Sequence, residues 1–456
     1  FNEGYGLSSR VISQAKDAGY NLLFALDCGT TNFEEVKLAE SLGIKVFILD
    51  HHTPLKEAEG FQAPKVPIIN PHLEDALSPL CSTGIAFLLG RALCQELTGS
   101  TDFVDESLLE FVPIAVIADV APVLGDNFLL SHLGWQKILH TKNIGLKTLL
   151  EQLKLSEHEV LSYRDVAFTI VPTINAAGRM AHARYAIELL LAGEKSQAEN
   201  LTKTIIKLNK LRKENQDRLF YEACQQAQAL SGASVLVLYD KNWSQGLTGV
   251  VAARIADTFK KPTLILCDTD SEEGIAVMSG RAPAEVDLLA TVTPFAQLFS
   301  KLGGHAQAIG GSLEVRLVEE LRDTLWDAEI VLSENLKSAR AYDTSASVDE
   351  LCTLPVNGFL NLYPFGEGYL PPRVVLKKSR LLQKSAVGYD STHLSLLVAD
   401  EDSGNTLKLI GFKRSHLEPD LKVGSHYDIG LELELDTFQG APRIMLRLLE
   451  VFPTHS

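Results

Sequence analysis

Short apolar runs alternate with helical patterns over the first third of the chain. The runs Asn21–Leu26 and Ile44–Leu49 flank a helical pattern at Asn32–Leu42, and Phe111–Ile117 is a further run of the same kind. Strands joined by crossover helices in this way are typical of a parallel sheet that is covered on both faces. The sequence therefore predicts an α/β domain in which these apolar runs are parallel strands.

A polar helical stretch separates this region from a second α/β pattern. From about His182 to Leu230 the chain has the period of a long helix, and its middle is basic. The basic residues are Lys203, Lys207, Lys210, Arg212, Lys213 and Arg218. The second α/β region covers about Ser231–Glu334, with strands at Ala233–Leu238 and Thr263–Leu266 and a Gly-rich turn at Gly303-Gly304.

The last quarter of the chain has a β-rich pattern. Tyr342–Phe365 contains Pro and Gly residues and is predicted to be a loop-rich junction. Five strand-like runs follow, at Val374–Leu382, His393–Val398, Thr406–Phe412, His426–Leu435 and Arg443–Val451. Strands of this number and length are compatible with a small barrel of the OB kind.

These patterns predict four segments in a chain that is too long for a single core. They are a parallel-sheet domain at 1–183, a helical connector at 184–230, a smaller α/β domain at 231–335, and a junction with an OB-like barrel at 336–456.

Composition excludes several classes of protein. The longest apolar runs are far shorter than the roughly 20 residues of a membrane-crossing helix, and no signal-peptide pattern precedes them, so we expect cytoplasmic residence. The six cysteines form no C-x-x-C pair, which argues against a zinc knuckle or a disulfide framework. The net charge of −16 disfavours a nucleic-acid partner. From Pro371 to Ser456, however, eleven basic residues balance eleven acidic ones, so a basic face is feasible there.

Three acidic residues stand directly after apolar runs of the first domain. They are Asp27, Asp50 and Asp119, and His51 and His52 follow Asp50. The carboxyl ends of parallel strands form the edge at which α/β sheets bind ligands. Carboxylates and imidazoles suit Mn²⁺ or Mg²⁺. A single Asp in this position is more simply explained as a helix cap, but three of them with two consecutive histidines favour a metal site.

A set of short motifs is spread over nearly the whole chain. They are Asp27-Cys28-Gly29, Asp50-His51-His52-Thr53-Pro54, Ile69-Asn70-Pro71, Ser82-Thr83-Gly84, Ala118-Asp119-Val120-Ala121-Pro122, Ile174-Asn175-Ala176-Ala177-Gly178-Arg179, Gln245-Gly246-Leu247-Thr248-Gly249, Ser279-Gly280-Arg281, Gly303-Gly304-His305 and Pro364-Phe365-Gly366-Glu367-Gly368. Together they resemble the DHH phosphoesterases, and among these the RecJ single-stranded-DNA exonucleases.

The resemblance implies roles for the residues of the first domain. Asp27 would bridge two divalent ions, Mn²⁺ or Mg²⁺, and His51 and Asp119 would complete the ligand set of one of them. Asp50 would support the site and His52 would face the scissile phosphate. Two such ions activate a water and stabilise the leaving oxygen in an in-line displacement.

The resemblance also implies a substrate-binding set. Arg179 would hold a phosphate, a task that suits its planar fork of donors, although a surface ion pair is the simpler explanation of one arginine. Ser279-Gly280-Arg281 and Gly303-Gly304-His305 resemble the nucleotide-holding DHHA1 module, and Asn175 and Gln245 belong to the same motifs. The glycine pair is also predicted to be a turn that opens a helix and binds an anion through backbone N–H groups, although most such pairs mark turns alone. Ser244 departs from the family, which commonly has His before Gln245.

The function implied is 5′ to 3′ exonucleolytic hydrolysis of single-stranded DNA to mononucleotides in repair and recombination. A single-strand-binding protein and a helicase would be partners by resemblance only, and no membrane is involved. The barrel could hold the strand with aromatic residues, of which Phe365, Tyr369, Tyr389, Phe412, Tyr427 and Phe438 are available. One or two of the six are expected to be exposed, because most aromatic side chains fill interiors.

Two alternatives remain open at the level of sequence. A phosphodiesterase of the same superfamily that acts on short oligonucleotides or cyclic dinucleotides would share the metal residues without needing the basic connector or the barrel. A non-catalytic nucleic-acid-binding relative has no need of clustered carboxylates, which repel one another without a cation.

One family motif, an Asp-x-Asp element that supplies the other metal site, is expected upstream of Phe1. The chain as written therefore has one good metal site and one poor one. We expect a longer parent protein to be active and these residues alone to have little or no activity.

Overall fold

The first unit contains a small parallel sheet followed by a helical region. The computed structural model describes residues 6–54, 63–73, 80–269, 273–333, 341–389, 391–437 and 441–453. The sheet elements are α1 (Ser9–Asp17), β1 (Leu22–Leu26), α2 (Phe33–Ser41), β2 (Lys45–Leu49) and β3 (Ile68–Ile69). The sheet order is β1-β2-β3 with parallel pairing, as the alternating pattern predicted.

Helices make up the rest of this unit. They are α3 (Ser82–Thr98), α4 (Asp102–Ser107), α5 (Phe111–Ala118), α6 (Gly125–Ile138), α7 (Ile144–Gln152), α8 (Tyr163–Asp165), α9 (Val171–Met180), α10 (Arg184–Leu190) and α11 (Lys195–Ala229). A π-helix over Val166–Ile170 joins α8 to α9. The 35-residue α11 confirms the long connecting helix.

The prediction of a strand at Phe111–Ile117 was wrong. This run is α5, and Asp119 is its C-cap rather than the residue after a strand. Five of its seven residues are buried and all seven are apolar, and periodicity cannot distinguish such a helix from a buried strand. Pro113 lies in the first turn, where its missing N–H has no intrahelical partner to lose.

The second unit is a mixed sheet with helices on both faces. Its elements are β4 (Leu236–Tyr239), α12 (Gln245–Phe259), β5 (Thr263–Asp268), β6 (Ile275–Arg281), α13 (Leu288–Val292), β7 (Lys301–His305), β8 (Ala308–Glu314) and α14 (Val318–Trp326). The sheet order is β4-β5-β6-β8-β7, parallel between β4 and β5 and antiparallel elsewhere. Gly303 and Gly304 therefore lie within strand β7, and the predicted turn there was wrong, because glycine also occupies strands where another backbone approaches closely.

The last unit is a closed barrel, as predicted. Its elements are β9 (Thr344–Ala346), α15 (Val348–Cys352), α16 (Val356–Leu360), β10 (Arg373–Val387), β11 (His393–Ala399), β12 (Thr406–Gly411), β13 (His426–Asp436) and β14 (Arg443–Pro453). The order β11-β12-β14-β13-β10 closes through pairing of β10 with β11. The junction expected to be loop-rich also holds β9, α15 and α16.

Apolar packing joins the barrel to the first unit. One core cluster runs from helices α3 to α11 into the barrel interior, and Phe359, Tyr363 and Phe365 of the junction lie within it. The second unit has separate clusters on the two faces of its sheet. Within the described ranges, none of the helices combines the length and the apolarity that a bilayer crossing requires.

Candidate functional site

Asp27 lies at the point where the chain leaves β1. Its φ of +63° turns the backbone sharply, and its N–H donates to the carbonyl of Leu49 at 2.8 Å. Gly29 has a φ of +116°, and a Cβ there would press against Ile48 and Ala25. The Asp27-Cys28-Gly29 motif therefore holds the carboxylate at the carboxyl edge of the sheet.

Asp50 is buried beneath the site, with 2% of its surface exposed. Its carboxylate accepts hydrogen bonds from the N–H groups of His51 at 2.8 Å and Thr30 at 3.1 Å, and it contacts Nδ1 of His52 at 2.7 Å. Because an ionised carboxylate only accepts, Nδ1 of His52 carries the proton. The amide of Asn70 donates to Thr30 Oγ1 and to the carbonyl of His52. Asp50 thus orients both histidines.

His51 brings two carboxylates together. Its Nε2 lies 3.3 Å from Oδ1 of Asp27 and 3.2 Å from Oδ2 of Asp119. This nitrogen is buried and is aligned with neither oxygen for a hydrogen bond. Asp119 reaches this position from the C-terminal end of α5, where Val120 takes a φ of +54°.

The pKa values respond to this clustering. The adjacent Asp27 carboxylate raises the pKa of His51, and His51 in turn lowers the pKa of Asp27 more than burial raises it. Burial raises the pKa of Asp119 and outweighs the opposing effect of His51. Burial would raise the pKa of Asp50 as well, but hydrogen bonds from His52 and Thr30 lower it below the ordinary value.

The donor set fits a divalent cation. Ligand atoms of Asp27, His51 and His52 lie within 4.8 Å of one another, a spacing that could hold a metal ion, and Oδ2 of Asp119 stands 3.2 Å from Nε2 of His51 on the other side. Nε2 of His51 stands 3.2–3.3 Å from two carboxylate oxygens without a well-aligned hydrogen bond to either, an arrangement that a cation would satisfy. Oxygen and imidazole ligands suit Mn²⁺ and Mg²⁺.

Ser82 also reaches this cluster, which sequence reasoning did not predict. It begins α3, and its hydroxyl is buried and contributes, after His51, to lowering the pKa of Asp27. The only signal in the sequence was the Ser82-Thr83-Gly84 motif.

A second cluster is cationic and lies between the first two units. Arg179, on an exposed face of α9 one turn after Asn175, donates from Nη1 to the carbonyl of Gly246 at 3.0 Å. Burial lowers the pKa values of Arg212 and Arg281, and the nearby charge of Arg179 lowers both further. Arg212 of the connector thus belongs to this arginine cluster, although the sequence indicated only a basic helix.

Successive residues of β6 point alternately towards α12, where the arginine cluster lies, and towards the core. The hydroxyl of Ser279 lies 2.9 Å from that of Thr248 on α12, and Arg281 is on the same face of the strand. Gly280 points the other way, and a Cβ there would collide with side chains of the core, among them Ile309. Ser279 and Arg281 therefore face α12, whereas Gly280 serves packing. Gln245 is the exposed first residue of α12.

The predicted helix-opening glycine turn was wrong. Gly303, Gly304 and His305 are exposed residues of the edge strand β7. Through Ala308 of β8, His305 stands in register with Arg281 two strands away. His305 and, two residues before it, Gly303 therefore extend the Arg281 face of the sheet without a helix N-terminus, whereas Gly304 lies on the other face.

Comparisons with known proteins agree with this arrangement. Residues 5–116 match the DHH family, N-terminal domain, residues 232–329 match the DHHA1 domain, and residues 342–450 match the RecJ OB domain. Together these matches cover the parallel sheet, the mixed sheet and the barrel.

Relatives match over nearly all of the chain. The single-stranded-DNA-specific exonuclease RecJ of Bacillus subtilis is 28% identical over 98% of this chain, which spans 56% of that relative. The corresponding protein of Haemophilus influenzae is 29% identical over 98% of this chain and 80% of its own length. The structure of RecJ from Thermus thermophilus in complex with Mn²⁺ has a TM-score of 0.75 at 24% identity, covering 98% of this chain and 64% of that one, and shows the same fold.

With three domain matches in the order of the fold and relatives aligned along the whole length, the chain belongs to the DHH/DHHA1 phosphoesterase superfamily and, within it, to the RecJ family.

Proposed function

We propose that this chain carries the catalytic core of a metal-dependent exonuclease that hydrolyses single-stranded DNA from 5′ to 3′ and releases mononucleotides. The observation that carries the proposal is the position of Nε2 of His51, 3.3 Å from Asp27 and 3.2 Å from Asp119. The relatives are named single-stranded-DNA-specific exonucleases, and the polarity rests on this family alone.

Asp27, His51 and Asp119 would hold Mn²⁺ or Mg²⁺ in this proposal. A cation held there would supply an activated water and charge stabilisation at the phosphate oxygens. Asp50 keeps the proton of His52 on Nδ1, so Nε2 of His52, in a side chain that is 62% exposed, is free to face the scissile phosphate. The carboxylates and histidines thereby orient the reacting groups.

The arginine cluster would bind the phosphates of the strand. Guanidinium groups form paired, charge-assisted hydrogen bonds to phosphate oxygens. Arg179 of the first unit and Arg281 of the second lie close enough for their charges to interact, and Arg212 of the connector adds to the positive charge around Arg179. Asn175, Gln245, Ser279 and the β7 residues Gly303 and His305 would line the same surface, and Gly280 and Gly304 would contribute through packing. A single-strand-binding protein and a helicase remain partners by family resemblance only.

The function is tested with end-labelled oligonucleotides. The protein that carries these residues is expected to release mononucleotides from the 5′ end of a single strand when Mn²⁺ is added, and to leave blunt duplex intact. Equal cleavage of duplex, release from the 3′ end, or hydrolysis confined to dinucleotides would contradict the proposal.

Replacing Arg281 by alanine is expected to weaken single-strand binding about 10- to 150-fold. The variant loses charge-assisted hydrogen bonds worth about 1.5–3 kcal/mol. Arg281→Lys should recover only part of the affinity, because an ammonium group lacks the planar fork. Fluorescence anisotropy without divalent cation measures the effect. Arg316→Ala, in the same unit but paired with Glu314, is the control, and equal losses in the two alanine variants would exclude a specific role.

A further inference from the structure

A cleft lies between the barrel and the first unit, beside the apolar core that joins them. Its volume is about 740 Å³, and Val120, the residue after Asp119, lines one part of it. Tyr163, Arg164 and Phe168 of the first unit form one wall, and His393, Phe412 and Arg414 of the barrel form the other. The cleft therefore adjoins the metal centre and is shared by two units.

Aromatic rings and one guanidinium group form a ladder across this cleft. The guanidinium carbon of Arg164 lies 5.3 Å from the ring centre of Phe412 and 6.0 Å from that of Phe168. The rings of His393 and Phe412 are 5.4 Å apart at the barrel end. The guanidinium group of Arg164 thus lies over one ring from each unit, whereas the rings of His393 and Phe412 meet edge to face at 76°.

Phe168 is unusual for a phenylalanine, because 65% of its surface is exposed. It projects from the π-helix Val166–Ile170, a rare element that often marks functional sites. Phe412 is 36% exposed on the opposite wall. Of the other aromatics predicted as candidates, Tyr389 is fully exposed and Phe365 is buried, while Phe438 lies outside the described residues.

Charge is distributed unevenly between the floor and the rim. On the floor, Glu432 and Glu434 are paired with Arg447, and Glu432 also with Arg373. On the barrel side, the cations Lys413 and Arg414 form no ion pair with any residue in the described ranges. A strand that enters the cleft would meet neutralised carboxylates inside and free positive charge at the rim. A strand whose bases face into the cleft and whose phosphates face the rim would avoid the carboxylates and meet the positive charge.

We propose that this cleft is a nucleobase subsite in which bases of the single strand stack on Phe168 and Phe412, whose rings flank the half-exposed side chain of Arg164, itself paired with Glu434. The inference rests on the proposed function. It adds that the first unit, as well as the barrel, supplies part of the base-binding surface. Stacking requires unpaired bases, whose faces are free. The base of a free mononucleotide could stack in the same way. Because the cleft adjoins the metal centre, however, we favour a base of the polymer as its occupant.

The test uses oligonucleotides with one abasic residue placed at successive positions. The unsubstituted protein should lose affinity only where the missing base falls in the cleft. Phe168→Ala and Phe412→Ala should each weaken binding about 5- to 150-fold, as expected for loss of one stacked base. In both variants the dependence on abasic position should disappear. Phe412→Leu keeps apolar packing without a ring face, and Phe103→Ala, 69% exposed on α4, is the matched control.

The outcomes separate the subsite from the function. A uniform abasic profile, or unchanged binding by Phe168→Ala and Phe412→Leu, would overturn the subsite even if the unsubstituted protein is an exonuclease. Displacement of the strand from the unsubstituted protein, but not from Phe168→Ala, by a free deoxynucleoside monophosphate would make the cleft a mononucleotide site and would also overturn it. Absence of any phosphodiester hydrolysis by the active-length protein that carries these residues, with the abasic profile intact, would instead contradict the proposed function.

Discussion

Replacing His51 by alanine should lower single-strand hydrolysis roughly 1000-fold and remove tight Mn²⁺ binding. Nε2 of His51 is the atom that stands between Asp27 and Asp119, at 3.3 and 3.2 Å. Without the imidazole, the two carboxylates face each other across a gap and repel. A bound cation stabilises a transition state by several kcal/mol, and about 4 kcal/mol corresponds to a factor of roughly 1000.

Two measurements check this result. Calorimetric titration with Mn²⁺ reports the affinity, and kcat/KM on a labelled single strand reports the chemistry. Asp119→Asn keeps the size of the ligand but removes its charge, and it should fail in the same way. His140→Ala removes an exposed histidine after α6 and should leave both quantities unchanged. Mn²⁺ affinity and turnover near those of the unsubstituted protein in His51→Ala would exclude His51 as a ligand.

The positions of Asp27 and Asp50 at strand ends were predicted correctly, because they depend on local pattern. Asp27 and Asp50 follow two apolar runs that pair in parallel as β1 and β2, with Leu26 opposite Leu49. The carboxyl ends of both strands therefore meet at one edge, as the alternation of runs and helices required. The five barrel strands were predicted for the same reason, because alternating burial and turn residues are local signals.

The parts that failed depend on packing between distant segments. Asp119 was assigned to a strand end, yet it arrives at His51 from the end of a buried helix whose position is fixed by the core around it. Periodicity carries no information about such a run. Arg212 was predicted only as one of six basic residues of the connector. The packing of α9 against α11, where Asn209 donates to Thr173, brings it near Arg179.

Asp50→Asn is expected to reduce Mn²⁺ affinity and kcat about 10- to 100-fold and to lower the free energy of unfolding by about 1–3 kcal/mol. The amide has the same shape, but it has one acceptor oxygen where Asp50 has two. If that oxygen keeps the N–H groups of His51 and His52, the amide nitrogen faces the N–H of Thr30, donor against donor. A buried donor left unpaired costs about 1–3 kcal/mol, and losing the group that orients a metal ligand typically costs 10–100-fold.

Urea unfolding and Mn²⁺ titration of the same preparations distinguish an effect of Asp50 on the orientation of the histidines from an effect on the stability of the fold. Asp102→Asn, at the start of α4, is the control for a carboxylate-to-amide change outside the site. If Asp50 acts only on stability, kcat per folded molecule will be normal once the folded fraction is taken into account. If it orients the histidines, kcat will fall in fully folded protein, because Nδ1 of His52 no longer has an ionised acceptor at 2.7 Å. A normal kcat in folded Asp50→Asn would therefore remove Asp50 from the site and leave the buried carboxylate with a structural role alone.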